Sequence, residues 1–83
     1  MMWYLYLIEC NNGALYAGIT TDVAARYAKH ASGKGAKYTR ANPPRRLIGS
    51  KAFADKSGAA KAEYAIRQLR REDKAAFLFL GAD

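Results

Sequence analysis

Tyr4-Leu5-Tyr6-Leu7-Ile8, followed by Asn11-Asn12-Gly13 and then Leu15-Tyr16-Ala17-Gly18-Ile19-Thr20, decides how the chain is read. Up to Glu9, residues 3–9 are aromatic, β-branched or leucine, and Trp3, Leu5 and Leu7 alternate with Tyr4, Tyr6 and Ile8. Apolar character on both sides predicts a central strand covered on both faces. The Asn-Asn-Gly segment is a turn, and its length sets the register. A two-residue loop at Asn12-Gly13 would pair Tyr6 with Ile19 and send the Tyr6 and Tyr16 phenols to opposite faces. A three-residue loop, with Gly13 left-handed, pairs Tyr6 with Gly18 and Ile8 with Tyr16. That register makes the two phenols cofacial, beside Gly18 and Thr20, and it is the predicted one.

Outward from this hairpin, Thr21-Asp22 supplies a helix cap, and an alanine-rich helix is predicted from Val23 to about Ala31. On it Val23 and Tyr27 share one face, Arg26 and His30 another. The helix stops near Ser32-Gly33, and residues 33–40 form a loop or a short helical turn ended by Pro43-Pro44. Arg45 to about Phe53 reads as a third strand. Ser57 is the expected cap of a long helix over about 58–71, with Ala59, Ala62, Ile66 and Leu69 as its core stripe. Asp73 is expected to cap a last short helix that lays Ala76, Phe77 and Leu80 on the sheet. The class is α+β: one domain over residues 1–83, a small three-stranded sheet flanked by helices, in the order β-β-α-β-α-α.

Composition narrows the function. The chain has 83 residues, fourteen Lys and Arg, seven Asp and Glu, and a net charge of +7. Residues 22–51 hold eight basic residues against the single acidic Asp22, so the whole excess lies there. A confined excess suits a polyanion-binding patch, with a solvated basic loop as the plainer reading. Lys34, Lys37, Arg40, Arg45 and Arg46 would hold a phosphate backbone, with Tyr38 available to stack on a base. Met-Met-Trp-Tyr does not begin a secretory leader, and no apolar run approaches a bilayer span. The one cysteine, Cys10, cannot close an intramolecular disulfide or build a zinc site. A cytoplasmic setting with no membrane partner is expected, and the oligomeric state is open, a monomer included. Gly33-Lys34-Gly35 lacks the spacing of a phosphate-binding P-loop.

Taken singly, the remaining signals have ordinary explanations. Strand tyrosines usually pack, Arg26 and His30 would be a solvated helix face, and Glu63 with Arg67 a surface ion pair. Together and in this order, Tyr4-Leu5-Tyr6, Tyr16-Ala17-Gly18, Arg26 with His30, and Glu63 in a later helix resemble the GIY-YIG nuclease superfamily. The resemblance is closest to its small stand-alone bacterial members and to the N-terminal nuclease module of UvrC, and it runs from Trp3 to about Arg71. Tyr4 departs from the family's glycine, and no asparagine follows Asn42.

The resemblance implies a metal-dependent endonuclease that hydrolyses phosphodiester bonds in DNA, with RNA as the alternative, in repair or processing. Tyr6, Tyr16, Arg26, His30 and Glu63 would be its catalytic residues. Glu63 would hold Mg²⁺ or Mn²⁺ with water and substrate phosphate completing the shell. Arg26 would fork onto phosphate oxygens. The family role of a motif tyrosine points to Tyr6 as the group that deprotonates water, with Arg26 and the metal expected to lower its pKa. His30 could take that part instead, or hydrogen-bond a tyrosine into position. Nothing resembles a sequence-reading element, so binding should follow substrate shape. A second reading keeps the nucleic-acid binding and the fold but not the turnover.

Overall fold

The structure, a computed structural model, describes the backbone of residues 1–80 and the side chains of residues 1–79. Three antiparallel strands, β1 (Trp3–Cys10), β2 (Leu15–Thr20) and β3 (Pro44–Phe53), form one sheet in the order β2-β1-β3. The doubly apolar strand is therefore central, as its alternation demands. Leu5 and Leu7 point to one side, into a core with Ala17, Ala62, Ile66 and Leu78. Tyr6, Ile8 and Cys10 point to the other, where Tyr16, Val23 and Tyr27 pack on them. Each fully buried leucine or isoleucine contributes about 1.5–3 kcal/mol.

The hairpin takes the three-residue loop. Tyr6 pairs with Gly18 and Ile8 with Tyr16. The Gly13 amide donates to the Cys10 carbonyl at 2.9 Å, and the Cys10 amide to the Ala14 carbonyl at 2.9 Å. Gly13 has φ +86°, a conformation that suits glycine. On the other side, β1 pairs with β3 through two register shifts, after Leu7 and after Glu9.

Helix α1 (Val23–Ala31) starts where expected, with the Asp22 carboxylate accepting from the Ala25 amide at 3.1 Å. It ends in a glycine-terminated turn: Gly33 donates to the His30 carbonyl and Lys34 to that of Lys29. The segment after it settles as a short helix, α2 (Lys37–Ala41), rather than a loop. Helix α1 lies on the Tyr6 face of the sheet, where α2 packs on it.

Two boundaries differ from expectation. Helix α3 (Lys56–Arg67) begins at an Asp55 cap, whose carboxylate accepts from Gly58, and not at Ser57. Both residues are competent caps, and the end of β3 fixes which one the chain reaches first. Helix α4 (Arg71–Leu80) likewise starts before Asp73, which sits inside its first turn. In α3, Ala59, Ala62 and Ile66 are buried as predicted, and Leu69 packs just beyond the helix end. In α4, Leu78 and Phe77 cover the sheet, whereas Ala76 is exposed. The Leu80 side chain lies outside the described residues. Among those residues no helix is long and apolar enough to cross a membrane.

Candidate active site

The site forms on the Tyr6 face and wraps around the open edge of β2. Tyr6 is buried, and its hydroxyl lies 2.9 Å from His30 Nε2. His30 is only 2% exposed, so it belongs to no solvated helix face. Its Nδ1 lies 2.7 Å from Thr39 Oγ1, and that hydroxyl in turn donates to the Ala36 carbonyl at 3.0 Å. These contacts fix the protons. Because the Thr39 hydrogen is committed to Ala36, its oxygen accepts from Nδ1–H. A neutral imidazole then has a free lone pair on Nε2, so the Tyr6 hydroxyl donates to it. Burial, reinforced by the Arg26 charge, holds His30 below the ordinary imidazole range and hence neutral near pH 7.

Two close approaches make room for this chain of bonds. A Cβ at Gly18 would stand 2.5 Å from Tyr6 Cζ, so only glycine at the paired position lets the phenol cross β2. A Cβ at Gly35 would stand 2.8 Å from His30 Cγ. Gly35 therefore lets the chain fold back over the end of α1 and bring Thr39 to the imidazole.

The Tyr6 phenol corrects one expectation. Its pKa is pushed up to about 12, chiefly by burial and secondly by the neighbouring Tyr16. Arg26 and Arg67 pull it down and Glu63 pushes it up, but none of them outweighs desolvation. In the free protein Tyr6 is thus a neutral hydrogen-bond donor and not a phenolate.

The other site residues surround it. Tyr16 meets the His30 ring edge-on, with centroids 5.4 Å apart. Arg26 is exposed on α1, close enough to act on both Tyr6 and His30, and among the described residues its guanidinium has no hydrogen bond or ion pair. Glu63 comes from α3 on the opposite face and reaches the site around β2. There Arg67 holds it: Nη2 donates to Glu63 Oε2 at 2.8 Å and to the Ala17 carbonyl at 3.0 Å. The Arg67 guanidinium also lies 5.9 Å from the Tyr16 ring centre. Tyr6, Tyr16, Arg26, His30 and Glu63 thus share one neighbourhood.

Glu63 is the side chain of this cluster that could hold a divalent cation. Among the described residues no group of three or more His, Cys, Asp or Glu side chains could hold a metal, so a multidentate cage is excluded there. Glu63 Oε1 has no hydrogen bond among them. One carboxylate could hold a divalent cation whose other ligands would be water and substrate oxygens.

The predicted nucleic-acid-binding residues divide into two groups. Lys34, Lys37, Tyr38 and Arg40 are exposed on and before α2, beside the site. Arg45 and Arg46 lie instead against Glu9: Arg46 Nε donates to Glu9 Oε1 at 2.7 Å, and Arg45 Nη1 lies 3.9 Å from Glu9 Oε2. Arg71 joins them at 3.2 Å. Glu9 alternates with Ile8 and so faces the α3–α4 side, away from Tyr6.

Thr39 and Arg67 are the site residues that sequence reasoning missed. Thr39 carries no local signal, because its partner lies nine positions away on another helix. Arg67 was visible only as an i, i+4 partner of Glu63, and the Ala17 carbonyl it grips is a tertiary contact.

The GIY-YIG catalytic domain model matches residues 2–75. The chain belongs to this family. GIY-YIG is a nuclease family, and its two signature tripeptides correspond here to Tyr4-Leu5-Tyr6 on β1 and Tyr16-Ala17-Gly18 on β2. A UPF0213 protein of Cupriavidus pinatubonensis is 56% identical over 75 residues, spanning 90% of this chain and 83% of its own. Two GIY-YIG-like solution NMR structures resemble the fold. The UPF0213 protein of Bacillus halodurans has a TM-score of 0.57 at 48% identity, covering 93% of this chain and 82% of its own. A protein from E. faecalis has a TM-score of 0.64 at 38% identity with the same coverage.

Proposed function

We propose that the chain is a divalent-metal-dependent endonuclease that hydrolyses DNA phosphodiester bonds in repair or processing, directed by substrate structure rather than base sequence. The observation that carries this reading is the buried Tyr6–His30–Thr39 chain of hydrogen bonds beside Arg26, which has no hydrogen bond or ion pair among the described residues.

A phenol with a pKa of about 12 cannot serve as a standing base near neutrality. It can act as a relay. The Tyr6 oxygen accepts a proton from the attacking water while its own proton passes to His30 Nε2. The water oxygen bonds to phosphorus as the ester P–O bond breaks, and the leaving alkoxide takes a proton from solvent. Arg26 forks onto the phosphate oxygens, where its permanent charge offsets the developing one. Tyr16 orients the water or the phosphate from the same face. Glu63 would hold the divalent ion, which when bound supplies Lewis-acid neutralisation of the phosphate. Lys34, Lys37 and Arg40 would hold the backbone on either side.

The Glu63–Arg67 ion pair favours a second reading, a binding module with little turnover, in which the carboxylate stays with its arginine. One experiment separates them. Purified protein is incubated with nicked, branched and single-stranded DNA in Mg²⁺ or Mn²⁺. Cleavage by wild type that is lost in Glu63→Ala supports the nuclease. Wild type and Glu63→Ala behaving alike would sink it.

A further inference from the structure

We infer that the cavity on the open edge of β2 is a subsite for one unpaired nucleobase, that of the nucleotide next to the bond being cut. This rests on the phosphodiester reading of the adjoining site.

The cavity measures about 400 Å³ and is lined by Leu15, Tyr16, Ala17, Tyr38, Arg67 and Lys74. That is the small end of the range for ligand pockets, about 300–1,000 Å³, and suits one nucleotide unit rather than a folded partner. Its wall is aromatic and rigid. The Tyr16 and Tyr38 rings lie 9° from parallel with centroids 6.2 Å apart, and Asn12 Nδ2 donates to the Tyr38 hydroxyl at 2.9 Å. Tyr38 is nevertheless 40% exposed. An exposed ring held at both ends loses little freedom when a flat ligand stacks on it.

The charges match the same ligand. Among the described residues no carboxylate lines the cavity. Lys74 has no hydrogen bond or ion pair among the described residues, and Arg67 makes its contacts there through Nη2, leaving Nε and Nη1 for a phosphate. Because Tyr16 belongs both to this wall and to the cluster around Tyr6, the base seated here neighbours the reacting phosphate.

Such a subsite selects the substrate class. A base inside a duplex has both faces covered by its neighbours, so it reaches Tyr38 only when it is unpaired, in a single strand, a flap or a frayed end. Stacking on Tyr38 carries the base, and Arg67 and Lys74 carry its phosphate, so base identity contributes little.

The test is fluorescence anisotropy in metal-free buffer. A short single-stranded DNA is compared with a blunt duplex of equal length, for wild type, Tyr38→Leu, Tyr38→Phe and Lys74→Ala. Wild type is expected to prefer the single strand. Tyr38→Leu should weaken single-strand binding on the order of tenfold and spare the duplex, while Tyr38→Phe, which keeps the ring, retains it. Lys74→Ala should lower the salt slope for the single strand by roughly 0.7. Equal losses on both probes in Tyr38→Leu, or no loss on either, would overturn the subsite. With metal added, cleavage by wild type alongside an unaffected Tyr38→Leu leaves the nuclease standing and removes the subsite. The binding pattern without cleavage does the reverse.

Discussion

Tyr6 and Glu9 lie three positions apart on β1 and face opposite sides of the sheet. Around Glu9 three guanidiniums, from Arg45, Arg46 and Arg71, converge on one carboxylate. Two of them also grip hairpin carbonyls, Arg45 that of Asn11 and Arg71 that of Gly13. Around Tyr6 the central polar groups are neutral, and Arg26, the α1 cation that acts on it, has no hydrogen bond or ion pair among the described residues. On one face positive charge fastens the turn; on the other the Arg26 guanidinium is left without a protein partner among the described residues. A basic composition therefore overstates the binding surface, because part of it is structural.

The largest expected contrast is between the arginines of the two faces. Arg26→Ala should slow cleavage by about 10²–10³-fold, the cost of removing one aimed donor from a developing charge. Arg46→Ala should instead lower the denaturation midpoint while cleavage stays near the wild-type rate. Single-turnover cleavage and urea melts on both variants check this, and equal rate losses would erase the distinction.

Gly18→Ala comes next. The added methyl meets the Tyr6 ring, and overpacking of this kind costs about 1–3 kcal/mol. Urea denaturation should show that loss together with slower cleavage. A stable, fully active variant would mean that Tyr6 is not held where the structure places it.

Thr39→Val should cost about 1–2 kcal/mol by leaving the His30 Nδ1–H without an acceptor. It also frees the imidazole to adopt the other tautomer, which cannot accept from Tyr6. Cleavage should slow and the acid limb of its pH profile should move, with Thr39→Ser restoring both. An unchanged pH profile would reduce Thr39 to packing.

The smallest effect is in stability against pH. Glu9 sits below the ordinary carboxylate range, mainly through its Arg46 hydrogen bond, so its contribution is present above the unfolded pKa and lost as pH falls through the folded one. His30, held below its ordinary value of about 6.5, also destabilises the fold on acidification, but starting at that higher pH. Glu9→Gln should flatten only the more acid of the two declines. A melt series that loses both would merge the two faces into one electrostatic unit.

How much of this was legible depended on the range of each interaction. The hairpin register was, because Asn11-Asn12-Gly13 sets the loop length and the alternation of β1 leaves one way to face the phenols. The bounds of α1 were, because Asp22 and Gly33 act locally. The start of α3 was not, since Asp55 and Ser57 cap equally well until the strand before them is placed. Taken singly, His30 resembled part of a solvated helix face, because its burial depends on α2 folding back at Gly35. Arg45 and Arg46 read as a patch because the bulged pairing that sets them on Glu9 joins strands more than thirty residues apart. The rise in the Tyr6 pKa follows from burial, which no residue spacing expresses.

The central claim is that Tyr6, through His30, moves the proton of the attacking water. Its most direct test is single-turnover cleavage by Tyr6→Phe, which keeps the ring and removes the hydroxyl, with binding measured alongside. The account predicts a loss of about 10²–10⁴-fold in rate at unchanged DNA affinity, the range of general acid–base catalysis. Cleavage at the wild-type rate would contradict it.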